Sequence, residues 1–308
     1  MRQARMARAP WPALLLLAAC ASPPAQAGQD PPATPPPTPL PSPAPRALKD
    51  ARTWGYQLTG YGADRLTRVA ASTFDVIVVD TLDDDARPWP APEVAQAART
   101  HVLLGYLSVG AAEAYRPYWQ PDWRPGTPAW LLAEQPDWPG NYDVAYWDAD
   151  WQALTLRELD RVIDQGFHGA YLDLIDAYEQ HPDRPAARAE MIDWVCRLAT
   201  HARARRAGFL IVPQNAAELI RDPRYAPCVD ALGSEETYVY AMNRPTEAAR
   251  RDALLADYAL WKAAGKPVFT VDYADQPDLT TRTYAQARAQ GLIPYVTVRE
   301  ADRLTPGQ

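Results

Sequence analysis

The chain has 308 residues, 47% of them hydrophobic, and a formal net charge of −7. That acidic balance argues against nucleic acid as a partner and suits a cationic one. A Walker loop, zinc-type His/Cys spacing and a Gly-x-Ser-x-Gly elbow are all missing, so no cofactor or metal is called for, and His101, His168, His181 and His201 read as surface or packing residues.

The N-terminus reads as an export signal. Arg2, Arg5 and Arg8 precede a short apolar run, and Leu17-Ala18-Ala19-Cys20 looks like a bacterial lipobox. Residues 1–19 are then a signal peptide and Cys20 the lipidation site, with Ala21 behind it pointing to the outer membrane. The alternative is an ordinary cleaved signal in which Cys20 is incidental. Removing residues 1–19 takes away three arginines and no acids, moving the net charge from −7 to −10. Residues 20–48 are proline-rich and offer no periodic apolar face. They read as an extended tether, ~3.1 Å per residue. The anchor would be the chain's only contact with a membrane, and the folded part is expected to be a monomer.

Residues 49–308 have the length of one large α/β domain. Strand-like runs fall at 53–59, 74–80, 102–110, 170–173, 209–214, 229–235, 267–273 and 293–298. Helical patterns fall between them at 151–165, 186–207, 246–264 and 280–290, the last stopping at Gly291. Alternating strands and helices predict a parallel sheet, and eight units in this length predict a (β/α)8 TIM barrel. A doubly wound sheet is the runner-up, but Gly60-Tyr61-Gly62-Ala63-Asp64-Arg65 lacks the final glycine of its phosphate-binding turn. Cys196 and Cys228 could pair, which spacing alone leaves open.

The strand ends carry the chemistry. Gly166 to Glu179 runs from a turn through Ala170-Tyr171-Leu172 to Asp173, with Asp176 and Glu179 beyond. Alone, Asp173 could be a helix cap. Gln57, Asp80, Ser108, Gln214 with Asn215, Glu235 with Glu236, and Asp272 with Tyr273 end other strands in the same way. In a barrel these ends converge on one face, where active sites are built. Residues 115–151 hold six of the eleven tryptophans. They serve either as the small core of a long loop or as a stacking wall for sugars. Carboxylates with aromatics are the equipment of glycoside hydrolysis.

Trp54-Gly55-Tyr56-Gln57-Leu58, Tyr106-Leu107-Ser108-Val109-Gly110, Tyr115-Arg116-Pro117-Tyr118-Trp119, Gly166-Phe167-His168-Gly169 leading to Asp173, Gln214-Asn215, Glu235 and Val271-Asp272-Tyr273 occur in the order in which the endo-α-1,4-polygalactosaminidase family, glycoside hydrolase family 114, carries its motifs. The chain resembles that family and related TIM-barrel glycosidases over nearly all of the domain. The resemblance implies cleavage of polysaccharides containing galactosamine or related amino sugars, with Asp173 and Glu235 as catalytic carboxylates. Asp173 is expected to be the ionised partner and Glu235 the acid. Gln57, Asp80, Ser108, Glu113, Trp147, Asp176, Asn215, Asp272 and Tyr273 are the expected substrate contacts. The chain departs from the family pattern at Ala111 and Ala114, where acids are usual, and at His168, where Asp is usual. A non-catalytic carbohydrate-binding lipoprotein is the alternative.

Overall fold

Short runs of apolar residues, many of them β-branched, cannot cover both faces of a strand with polar groups. They therefore favour a sheet buried on both sides. In the computed structural model, which describes residues 48–307, eight such runs are parallel strands. They are β1 (Trp54–Gln57), β2 (Val76–Val79), β3 (Val102–Ser108), β4 (Gly169–Asp173), β5 (Leu210–Pro213), β6 (Leu232–Glu235), β7 (Val268–Tyr273) and β8 (Ile293–Thr297). β1 to β5 pair in sequence order, and β6, β7 and β8 pair likewise. A parallel bridge between Gln214 and Gly233 spans one seam, while the amide of Leu58 donates to the Ala301 carbonyl at 2.8 Å across the other. The fold is a (β/α)8 barrel. The expected signal peptide, Cys20 lipobox and most of the tether lie outside the described residues.

The outer layer holds α1 (Thr67–Ala71), α2 (Ala91–Ala97), α3 (Ala149–Gln165), α4 (Ala187–Arg205), α5 (Ala248–Ala263) and α6 (Pro277–Ala289). α3 shows how local sequence sets an element. Asp148 caps its N-terminus by accepting from the Asp150 amide at 2.9 Å, and Gly166 ends it with φ 97°, a conformation that favours glycine. Between these ends Trp151, Leu154, Leu159 and Val162 are buried. After β5 no α-helix forms. Pro223 and Pro227 remove amide donors there, and two 3-10 turns, Ala217–Arg221 and Ala226–Cys228, fill the space.

The barrel interior is aromatic. Trp54 lies 5.5 Å from Phe269, 6.0 Å from Tyr295 and 6.3 Å from Tyr171, and its indole N–H donates to the Thr270 carbonyl at 3.3 Å. Rings this large need a facing residue without a side chain. A Cβ on Gly233 would sit 2.1 Å from the Tyr171 hydroxyl oxygen. Trimming a fully buried ring such as Trp54 to Ala costs about 3–5 kcal/mol.

His168 is not a replacement for a rim acid. It sits just before β4, at the end opposite Asp173, where its Nδ1 accepts from the Leu103 amide at 3.1 Å. Burial drives its pKa down to about 4, so a neutral imidazole ties β4 to β3.

Cys196 on α4 and Cys228 in the turn after β5 form a disulfide. The bridge fastens a βα unit that lacks an α-helix. Closing a loop of 32 residues restricts the unfolded chain by about 3–4 kcal/mol. Replacing both cysteines by Ser should therefore lower the melting temperature by about 10 °C, and reductant should then have no further effect. An equal melting temperature for parent and variant would remove the bridge from the stability of the fold.

Candidate active site

The carboxyl-terminal strand ends open on a cleft of about 330 Å³. Its floor is polar because each strand stops there. β4 ends on Asp173, β6 on Glu235 and β7 on Tyr273. Residues just beyond these ends adopt left-handed backbone conformations: Leu174 (φ 57°), Asn215 (φ 64°), Ala216 (φ 51°) and Glu236 (φ 57°). Each such bend costs about 1–3 kcal/mol in a residue other than glycine, and bends of this kind gather where a site needs them.

Asp173 and Glu235 are each held by two donors or more. Asp173 accepts from the Tyr106 hydroxyl at 2.6 Å and from the Leu174 amide at 2.7 Å. Glu235 accepts from the Asn215 side-chain amide at 3.1 Å and from the Tyr273 hydroxyl, while its own backbone N–H donates to the Asn215 side-chain oxygen at 3.0 Å. The Asn215 amide thus fixes both the backbone and the carboxylate of Glu235. Burial and then the Glu235 charge push Asp173 up to about 8, and the same two causes push Asp176 up to about 7. Carboxylates dominate the wall: Glu113, Asp173, Asp176, Glu235, Glu236 and Glu300 face one guanidinium, that of Arg299.

Of the expected contacts, Glu113, Asp176, Asn215 and Tyr273 line this cleft with the two catalytic candidates. Five others do not. Asp80 is turned to Arg116, whose Nη1 lies 2.6 Å from its carboxylate, and the Leu82 amide donates to it at 2.8 Å. Asp272 is fully buried and accepts from the amides of Tyr238 and Val239 at 2.7 and 2.8 Å, pinning the loop after β6; burial raises it to about 7. Ser108 donates to the Ala111 carbonyl at 2.9 Å, and Gln57 donates to the Thr59 carbonyl at 2.9 Å. Trp147 has the Arg184 guanidinium 4.0 Å above its ring and His181 at its edge, away from the cleft. In each case a local polar or cationic partner claims the group before a ligand can.

The structure adds residues that strand-end reasoning misses. Tyr56 and Tyr106 point into the cleft from inside β1 and β3, where alternation alone would have placed them inward. Glu236 lines the cleft beside Glu235, although alternation along a strand puts neighbours on opposite faces. Its left-handed backbone ends the strand and cancels that rule. Trp138 is 46% exposed at the cleft wall, one face against the Arg299 guanidinium at 4.7 Å. The following Pro139-Gly140 marks it as a hairpin tip, a place where a core has no use for an indole.

The chain matches the profile of glycoside-hydrolase family GH114 over residues 34–306. A protein of Deinococcus radiodurans is 60% identical over 96% of this chain and 97% of its own length, and one of Thermotoga maritima is 33% identical over 79% of each. Among solved structures, the glycoside hydrolase domain of PelA from Pseudomonas aeruginosa superposes with a TM-score of 0.66 at 17% identity, covering 82% of this chain and 97% of that one. Aspergillus fumigatus Ega3 in complex with galactosamine superposes with a TM-score of 0.62 at 18% identity, covering 86% and 97%. At such identities these two likenesses concern the fold.

The raised carboxyls fix the sign of a pH effect. Asp173, Asp176 and Asp272 keep their protons to pH 7–8 when folded but lose them near 4 when unfolded. The stability they contribute is therefore complete below pH 4 and is lost as pH rises through their folded values. The melting temperature should fall by several degrees between pH 5.5 and 9, and Asp173→Asn should flatten that fall. A parent whose stability rises over the same range would show that the three acids are charged in the folded chain.

Proposed function

Because the chain belongs to glycoside-hydrolase family GH114, we propose that it cleaves polysaccharides of amino sugars, galactosamine first among them, with Asp173 and Glu235 as the two working carboxylates. The observation that carries this reading is the cleft itself, whose wall holds six carboxylates, two of them the oriented strand-end acids, and a single guanidinium. Such a wall attracts ammonium groups and repels anionic polymers.

Hydrolysis of a glycosidic bond needs one carboxylic acid to protonate the leaving oxygen and one carboxylate to meet the charge developing at the anomeric carbon. Burial and the Glu235 charge favour the protonated form of Asp173. An ammonium group bound beside Asp173 and Asp176 favours their ionised forms. The substrate thereby readies Asp173 to face the anomeric carbon, and Glu235 is the second oriented carboxyl placed to serve the leaving oxygen. Tyr106 aims Asp173, while Asn215 and Tyr273 aim Glu235, so neither carboxylate must reorganise as charge develops. Trp138 offers a flat apolar ring at the cleft wall on which a sugar face can stack.

Asp173→Asn and Glu235→Gln should each lower release of reducing ends from de-N-acetylated galactosamine polymer by ~10²–10⁴, with little change in polymer retention. Acetylated polymer and a neutral glucan serve as controls. A parent chain that retains the polymer but releases nothing from any of the three would make the barrel a binding protein.

Trp138→Ala should show the opposite pattern. Polymer affinity should fall about tenfold, an aromatic contact of ~1.4 kcal/mol, while kcat stays near that of the parent. A loss confined to kcat would exclude the stacking role.

A further inference from the structure

The basic residues of this chain are almost all arginine: of 31 Lys and Arg, only Lys49, Lys262 and Lys266 are lysine. All three line one open hollow of about 630 Å³, together with Arg52 and Arg288. Thr53, Pro267, Val268 and Ile293 complete its floor, which places it at the amino-terminal ends of β1, β7 and β8. The cleft occupies the opposite, carboxyl-terminal end of the same strands.

Little in this hollow balances the charge: Asp230 acts on Lys266 from outside the wall, and the Asp75 carboxylate accepts from the Arg52 backbone N–H at 2.7 Å. No carboxylate lines it, and Asp50 next to Lys49 is exposed but not part of the wall. Among the described residues none of the five side chains joins an ion pair. Lys262 and Lys266 donate instead to the neutral carbonyls of Gln290 and Val229, both at 2.6 Å, and Arg288 lies over the Tyr284 ring at 5.1 Å. Elsewhere in the fold arginine forks onto carboxylates, as in Arg184 with Glu190 and Arg224 with Asp222. Lysine differs in being a compact, hydrated charge on a flexible stem, suited to oxyanions that are not held in one geometry.

The described chain starts at Leu48, beside Lys49 at this hollow, so residues 1–47 join the barrel at its basic end. Their sequence carries the lipobox at Cys20 and the proline-rich tether. We propose that the basal hollow docks on the phosphate headgroups of an anionic membrane, turning the acidic cleft away from that surface. A chain of net charge −10 beyond residue 19 is repelled by such a membrane as a whole, and a hollow lined by five basic side chains and no carboxylate offers a place where that repulsion is reversed. The proposal holds whether or not the cleft cleaves its polymer.

The test is vesicle flotation with the chain from Ala21 on, which keeps the tether and the barrel but cannot be acylated at Cys20. It should float with vesicles containing about one-third phosphatidylglycerol, stay behind with pure phosphatidylcholine, and be released by about 0.5 M salt. Lys49→Gln, Arg52→Gln and Lys262→Gln together should weaken binding roughly a hundredfold, near fivefold per charge. Lys266 is left in place because, unlike the exposed Lys262, it is half-buried where it holds the Val229 carbonyl. The matched triple Arg68→Gln, Arg161→Gln and Arg224→Gln, with exposed arginines elsewhere on the barrel, should bind as the parent does; melting temperatures confirm that both triples fold. Equal losses in the two triples, or no flotation of the parent, overturns the proposal. So does a melting shift by inorganic phosphate that the basal triple abolishes while vesicles are ignored, which would make the hollow a soluble-anion site.

Discussion

A buried guanidinium organises one whole side of the cleft. Arg116 lies between Asp80, just past β2, and Glu113 in the segment after β3, at 2.6 Å from each carboxylate. Burial alone lowers the pKa of an arginine, and the two acids overcome that effect. Losing either partner would strand a charge away from water, at a cost of about 3–5 kcal/mol. The consequences spread outward. Glu113 receives the Tyr115 hydroxyl at 2.5 Å, and Arg116 lies 5.6 Å from the Tyr106 ring, whose hydroxyl aims Asp173. One cation therefore locks β2, the segment after β3 and Asp173 into a single arrangement.

The same triad explains why acids at strand ends were only partly readable. Periodicity reports which residues are inward and where a strand stops, so the barrel, Asp173 and Glu235 could be placed from sequence. It carries no information about partners. Asp80 and Asp272 end strands as Asp173 does, yet one is committed to Arg116 and the other to two backbone amides. Glu236 shows the complementary failure, because a single left-handed residue converts an outward position into a cleft position. Three short strands at Ala111–Glu113, Leu131–Glu134 and Asn141–Val144 were hidden for a related reason. They form their own antiparallel sheet of three- and four-residue strands, too short to show a period, and the tryptophans that flank them read equally well as a sugar wall.

The rim and the interior share the cost of function. Left-handed bends after β4, β5 and β6 are unfavourable locally. They persist because the strands that deliver them are locked below by Trp54, Tyr171, Phe269 and Tyr295, with Gly233 leaving room for the rings. Rigidity lies beneath the site and conformational stress within it, which keeps two carboxylates in place.

The small sheet after β3 divides its labour between two sets of indoles. Trp119, Trp123, Trp130 and Trp151 pack on one another through ring contacts of 4.9–5.4 Å, and that cluster holds the sheet together. Trp138 makes no ring contact with the cluster and stands at the hairpin tip. Foundation and working surface are therefore different residues. Substitutions between Glu134 and Asn141 can accumulate over generations without loosening the barrel, whereas the buried indoles resist exchange. A lineage meeting a new polymer has in this hairpin a place to vary that leaves Asp173, Glu235 and their supports untouched.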